Sequence, residues 1–179
     1  MGMANKPRPV KLICGLLAQR GEWLDEAVHR LEKSLGPVDL ESDTWPFDFT
    51  DYYEEEMGGD LLRRFCSFKE LIDPANLVII KHTTNRMEQA LSRDLKNIPE
   101  RPVNLDPGYV NTGKLVLATT KDYSHRVYLR GGMYAEVTLR WKDDEFKPWE
   151  WTYPDYRTGE YREFFARVRA AYMDELGLE

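Results

Sequence analysis

Between Ser124 and Arg140 apolar and polar residues alternate. Val127, Leu129, Met133, Ala135, Val137 and Leu139 interleave with Arg126, Tyr128, Tyr134, Glu136 and Thr138, and Gly131-Gly132 divides the run. A period of two marks half-buried strands, so the segment reads as a β-hairpin. A plain two-residue Gly131-Gly132 turn would set Val127 opposite Glu136, placing an acid on the apolar side. An odd-length loop, Arg130 to Gly132 with a glycine at positive φ, instead pairs Leu129 with Met133 and Val127 with Ala135. It also sets Arg126 opposite Glu136 and Tyr128 opposite Tyr134. The prediction is one polar face of Ser124, Arg126, Tyr128, Tyr134, Glu136 and Thr138, with His125 on the other face among aliphatics.

Elsewhere the pattern changes period. Lys11–Ala18 (KLICGLLA) is an almost unbroken apolar run, as in a strand covered on both faces. Trp23, Leu24, Ala27, Val28, Leu31 and Leu35 repeat at helical spacing up to the stop at Gly36-Pro37. Val38–Trp45 and Leu61–Phe68 read as strands joined by a long polar and aromatic connection. Asp73 with Pro74 opens a helix whose inner stripe is Leu77, Ile80, Thr84, Met87 and Leu91. Arg101–Asp106 reads as a fourth strand. Leu115–Ala118 is too short to assign, Glu145–Trp151 suits an edge strand, and Tyr161, Phe164, Phe165, Val168 and Tyr172 mark a closing helix that ends before Gly177. Strand, helix, strand, strand, helix, strand is the order of a ferredoxin-like split βαβ unit. The expected fold class is therefore α+β: a mostly antiparallel sheet with helices on one face, extended by the C-terminal hairpin and helix. Residues 1–10 form a flexible tail and 11–179 a single domain, with Cys14 and Cys66 on neighbouring strands.

A chain of 179 residues, 42% hydrophobic and 31% charged, can bury its own core without cross-links. No apolar run reaches membrane-span length and no hydrophobic stretch follows the basic start, so neither a membrane protein nor a secreted one is expected. Cys14 and Cys66 lie in apolar runs, which fits buried free thiols in a reducing, cytoplasmic setting better than a disulfide or a metal pair. The net charge of −6 argues against bulk nucleic-acid binding. Residues 101–147 nevertheless carry eight Lys/Arg against six Asp/Glu, a surplus of +2 that leaves −8 for the rest. A locally positive segment in an acidic chain suits a small anionic ligand.

Candidate chemistry concentrates there. Thr119-Thr120-Lys121-Asp122-Tyr123-Ser124-His125-Arg126 offers hydroxyls, an ammonium, an imidazole and a guanidinium within eight residues. Lys and Arg hold phosphate or carboxylate, Arg through its planar fork. His125 is either a general acid or base or, as the register favours, a core histidine. Asp106-Pro107-Gly108-Tyr109 predicts a type II turn, where Asp106 either serves the site or closes the turn onto its own backbone. The candidates for chemistry are thus Lys121, Arg126, Glu136 and Asp106, with Tyr109, Thr119, Thr120, Ser124, Tyr128, Tyr134 and Thr138 as ligand contacts. Arg126 with Glu136 also reads as a simple cross-strand ion pair. Two loops are unusually aromatic: Trp45–Tyr53 holds five rings in nine residues and Trp149–Tyr156 four in eight. They either stack on a planar ligand or, the reading composition favours, pack on the body of the domain. Asp51, Glu54, Glu55 and Glu56 read as a solvated acidic face.

Known motifs are absent. Five residues separate Gly15 from Gly21 and Glu22 follows, so there is no phosphate loop. No G-x-G-x-x-G, C-x-x-C or H-E-x-x-H occurs, and His29, His82 and His125 are scattered, so a zinc site is not expected, and the motifs leave any cofactor unspecified.

The phrases WPFDFTDYYEEEMG, FKELIDP, NLDPGY, KLVLATTKDYSHRVYL, YAEVTL and TYPDY resemble an uncharacterised prokaryotic family known as domain of unknown function four-four-one-six. The resemblance runs from about Lys11 to Tyr172. It implies a small cytosolic bacterial or archaeal protein, and some members carry a GTP-binding label. Thr120-Lys121-Asp122 lacks one residue of the guanine-reading N/T-K-x-D pattern and Asp106-Pro107-Gly108 is one short of D-x-x-G, so a classical P-loop GTPase is not expected. The functional expectation is a cytosolic domain binding a small phosphate- or carboxylate-bearing ligand, nucleotides included, with no reaction specified. The alternative is a non-catalytic interaction module or homodimer in which the hairpin face, through Tyr128 and Tyr134, meets a partner or a second copy.

Overall fold

The computed structural model describes residues 2–95 and 99–178. Nine strands form one sheet: β1 Val10–Ala18, β2 Val38–Glu41, β3 Trp45–Phe47, β4 Leu61–Ile72, β5 Val103–Val110, β6 Lys114–Thr119, β7 Val127–Arg130, β8 Met133–Lys142 and β9 Glu145–Pro148. The helices are α1 Gly21–Leu35, the single turn α2 Glu54–Met57, α3 Leu77–Asp94 and α4 Gly159–Glu175. The strand order is β2-β4-β1-β5-β6-β8-β7, with β3 added to β4 and β9 to β8. Every neighbouring pair is antiparallel. The chain is α+β with a mostly antiparallel sheet. Among the described residues, no helix is long and apolar enough to cross a membrane.

The unbroken apolar run became β1, whose nine residues are all buried. Leu12, Cys14, Leu16 and Ala18 face α1 and α3, whereas Ile13 packs in a second core with Phe65, Phe164, Phe165 and Val168 beneath α4. Helices therefore cover both faces of the sheet, α1 and α3 one and α4 the other. Cys14 and Cys66 stand directly opposite each other on β1 and β4, both free and buried. Asp73 accepts a hydrogen bond from the Ala75 N–H and caps a 3₁₀ turn, Pro74–Asn76, that runs into α3. The strand expected over Val38–Trp45 is two short strands: Ser42 still donates its N–H to the Phe65 carbonyl, but the Phe65 N–H is taken by the Ser42 hydroxyl, and the regular ladder stops there.

Two expectations fail in instructive ways. The turn predicted at Asp106-Pro107-Gly108 is instead the middle of β5, with Pro107 opposite Cys14. The β5–β6 ladder begins only at Gly108, so the residue without an N–H falls at its end, where a strand tolerates the loss. Gly108 serves that ladder's close approach: a Cβ there would lie 2.3 Å from the Val116 carbonyl oxygen. In the hairpin, Val127 pairs with Ala135 and Tyr128 with Tyr134 as predicted, but Arg130 rather than Leu129 faces Met133. The loop is the two-residue Gly131-Gly132 turn, both glycines at positive φ (59° and 76°), and a bulge at Leu129 absorbs the extra residue.

The expected division of hairpin faces also fails. β7 is a sheet edge, and Val127, Tyr128 and Leu129 are exposed by 68%, 56% and 40%. Arg126, Glu136 and Thr138, predicted to face outward, are buried, while Ser124 and Tyr128 do lie at the surface. Alternation encodes two faces but not which one a neighbouring segment will cover. Here the Trp149–Tyr156 loop covers the polar one.

Candidate functional site

The site lies where the sheet splits. Because β6 pairs only with Gly108–Val110, the first half of β5 has no strand partner on that side among the described residues. Two α3 side chains satisfy the Leu105 backbone instead: Lys81 donates to the Leu105 carbonyl at 2.8 Å, and Glu88 accepts the Leu105 N–H at 2.8 Å. The gap opens into a cleft of about 750 Å³. Both aromatic loops line it, Phe47, Phe49, Tyr52 and Tyr53 on one side and Trp151, Tyr153 and Tyr156 on the other. Such a volume is ordinary for a small-molecule site.

The floor is a buried charge cluster. Arg63, on β4, is only 2% exposed; its guanidinium lies between the Phe47 and Phe65 rings, at 4.9 and 5.6 Å from their centroids. Gly15 makes this placement feasible, since a Cβ there would come within 3.2 Å of Arg63 Nη1. Nη2 donates to Asp155 at 3.3 Å, and Nη1 is 3.7 Å from Asp106, too far for a hydrogen bond. Among the described residues Nε and Nη1 make no well-formed hydrogen bond, and neither do the buried Tyr156 and Tyr161 hydroxyls, but the Tyr161 hydroxyl adjoins the guanidinium, which offsets part of the rise that burial gives its pKa. Burial pulls the Arg63 pKa down, but Asp155 and Asp106 outweigh it and keep the guanidinium charged. Lys81 Nζ lies 3.5 Å from Asp106 Oδ1, and Asn104 donates to Asp106 at 2.6 Å. Burial raises the Asp106 pKa, yet Lys81 and Arg63 prevail and hold it below the usual aspartate range. At Asp155 burial wins over Arg63, and its pKa is raised.

A second cluster stands beside the first. Arg126 Nε donates to Glu136 Oε2 at 2.8 Å, with both side chains 1% exposed, and Thr138 donates to Glu136 Oε1 at 3.1 Å. Arg126 also donates to the Tyr153 hydroxyl and to the Lys121 carbonyl. His125 Nε2 is 3.3 Å from Glu136 Oε2. Its ring is flanked by Tyr123 and Trp151, with centroids at 6.1 and 5.6 Å and planes within 14° of parallel. The expectation of a histidine among aliphatics is thus corrected: the irregular stretch before β7 turns His125 into the cleft. At the mouth Lys121 donates to the Tyr52 hydroxyl and sits 3.9 Å from that ring's centroid. Burial, reinforced by Glu136, pushes the Tyr153 phenol up to about 12.

Asp106, Thr119, Thr120, Lys121, Arg126 and Glu136 therefore share one cleft. Thr138 acts on it through Glu136. Tyr109, Ser124, Tyr128 and Tyr134 are placed elsewhere: Tyr109 packs near Leu77 and Val116, Ser124 is an exposed turn residue, and Tyr128 meets Tyr134 edge to face at 5.3 Å. Sequence reasoning missed Arg63, Lys81, Asn104 and Asp155, which lie far apart in the chain. A signal for Arg63 existed in its place between Leu61 and Phe65 on the period-two face of β4. Among the described residues, no group of three or more His, Cys, Asp and Glu side chains could hold a metal ion.

An α+β sheet split to form an aromatic-walled, charge-floored cleft is the class of protein the structure defines. Residues 8–172 match the family described as domain of unknown function (DUF4416), and the chain belongs to that family. No curated protein and no solved structure matches the chain significantly.

Proposed function

We propose that this protein is a cytoplasmic small-molecule-binding domain whose cleft takes a phosphate- or carboxylate-bearing ligand, nucleotides included. The convergence of Lys121, Arg126 and the buried Arg63 with two aromatic loops in one cleft carries this reading. The three cations supply the anion contact, and rings such as Tyr52 and Trp151 supply a planar surface worth roughly 1–3 kcal/mol per stacked base. The free thiols of Cys14 and Cys66, uncrosslinked although directly opposite, accord with a reducing compartment. The strand order β2-β4-β1-β5, with α1 and α3 on one face, supports a ferredoxin-like split βαβ core at the centre of the larger sheet.

Thermal unfolding with inorganic phosphate, pyrophosphate, citrate and nucleoside phosphates tests the reading. A ligand specific to the native state raises the melting temperature, by about 2.7 kcal/mol of added stability at a hundredfold excess over Kd. At least one anion is expected to do so in wild type and much less in Lys121→Ala. A flat response across the panel counts against the cleft as a ligand site. The exposed β7 edge favours a second reading, in which a second copy pairs along Val127–Leu129. Size-exclusion chromatography of wild type and Tyr128→Arg decides it, and a monomer in both cases removes it.

A further inference from the structure

We propose that the cleft is built for a phosphorylated polyol, its hydroxyl-bearing end on the floor and its phosphate toward the mouth. The inference rests on the anion-binding reading and deepens it. The floor is charge-balanced, with two cations (Arg63 and Lys81) facing two carboxylates (Asp106 and Asp155). A bare anion gains little Coulomb energy in such a place and meets two carboxylates. A hydroxyl gains more, because it can accept from a guanidinium N–H and donate to a carboxylate at once. Both halves of that pairing are present: among the described residues Arg63 Nε and Nη1 are buried donors that make no well-formed hydrogen bond, although the Tyr161 hydroxyl adjoins the guanidinium, and Asp106 is held ionised as an acceptor next to them. The 3.7 Å separation of Arg63 Nη1 from Asp106 Oδ2 leaves the pair unsatisfied by each other. Two hydroxyls on adjacent carbons match a guanidinium and a carboxylate set side by side. The other end of the cleft differs. Among the described residues Lys121 makes no ion pair, the Thr119 and Thr120 hydroxyls are beside it, and Arg126, whose nitrogens are taken by Glu136, the Lys121 carbonyl and Tyr153, adds positive potential. The phosphate belongs there.

A free sugar phosphate and a nucleotide share this diol-plus-phosphate chemistry, and titration calorimetry on the full chain separates them. The probes are ribose 5-phosphate, 2-deoxyribose 5-phosphate, glycerol 3-phosphate, propyl phosphate, AMP and inorganic phosphate. Diol-bearing probes are expected to bind at least tenfold tighter than their hydroxyl-poor counterparts in wild type. Asp106→Asn, nearly isosteric, should reduce that ratio to below about threefold while leaving inorganic phosphate affinity within twofold. Lys121→Ala should weaken all phosphorylated probes together. Tighter binding of AMP than of ribose 5-phosphate assigns the aromatic walls to a base, and equal binding assigns the site to a sugar phosphate. If phosphate binds but the hydroxyls make no difference, the polyol assignment falls and the anion site stands. If no phosphorylated probe binds, both fall. Circular dichroism of Asp106→Asn guards against misfolding, and should that variant fail to fold, the wild-type ratio decides alone.

Discussion

Two cations are buried on the same side of the sheet, and they are paired very differently. Lys11, 0% exposed, has three donors and three acceptors: Asp39 at 2.5 Å, Glu175 at 2.8 Å and the Lys69 carbonyl at 3.5 Å. It ties β1 and β2 to the end of α4 and leaves nothing unsatisfied. Arg63, 2% exposed, uses one nitrogen on Asp155, and among the described residues its Nε and Nη1 make no well-formed hydrogen bond, next to a cleft. A buried charge is costly unless its hydrogen bonds are made, so the fully paired Lys11 serves the fold, while the incomplete pairing of Arg63 leaves donors for a ligand. Burial alone does not tell the two apart; donor satisfaction does.

That contrast can be broken or sharpened by substitution. The largest stability loss is expected for Arg126→Ala, which strands the Glu136 carboxylate in the interior and should cost about 3–5 kcal/mol in urea unfolding. Arg63→Met should cost somewhat less, about 3 kcal/mol, since Asp155 can take up a proton, but it should remove the tighter binding of diol-bearing phosphates. Lys11→Met removes a better-paired cation and should nevertheless cost only about 1.5 kcal/mol, because Asp39 and Glu175 can hydrate, with ligand response unchanged. Loss of ligand response in Lys11→Met would erase the distinction. Lys121→Ala should change stability by less than about 0.5 kcal/mol, as its side chain is exposed, while lowering anion affinity about tenfold.

The Lys11 cluster also makes a pH prediction. Burial raises the Asp39 pKa, but Lys11 and Ser67 more than offset this, so the folded value lies below the unfolded one. A depressed carboxylate pKa stabilises the fold above the unfolded value and loses that contribution as pH falls through the folded value. The stability gap between wild type and Lys11→Met should therefore be constant from neutrality down to roughly pH 4 and shrink below it. A gap that persists at pH 2 assigns the loss to packing of the lysine stem instead.

Local pattern was legible wherever one element's own side chains decide its state. The β1 run, the α1 and α4 stripes, the Asp73-Pro74 start and the pairing of Val127 with Ala135 all follow from period and turn chemistry carried within a few residues. The opposition of Cys14 and Cys66 was likewise readable from the order of strands. By itself the sequence determined an α+β chain with a mostly antiparallel sheet, and pointed to Lys121, Arg126, Glu136 and Asp106 as polar residues worth watching.

Tertiary structure decided the rest. Whether Pro107 turns or continues depends on β1 lying opposite it and on β6 joining only at Gly108. Whether Arg126 and Glu136 face solvent depends on the Trp149–Tyr156 loop, and whether Val127 is covered depends on β7 being last in the sheet. Arg63 joins Asp106 and Asp155 from 43 and 92 positions away along the chain. Such contacts depend on how separate elements pack, and no local periodicity records them. The chain's own alternation specifies two faces for every strand, but only the assembled neighbours determine which face becomes core, which becomes edge and which becomes cleft.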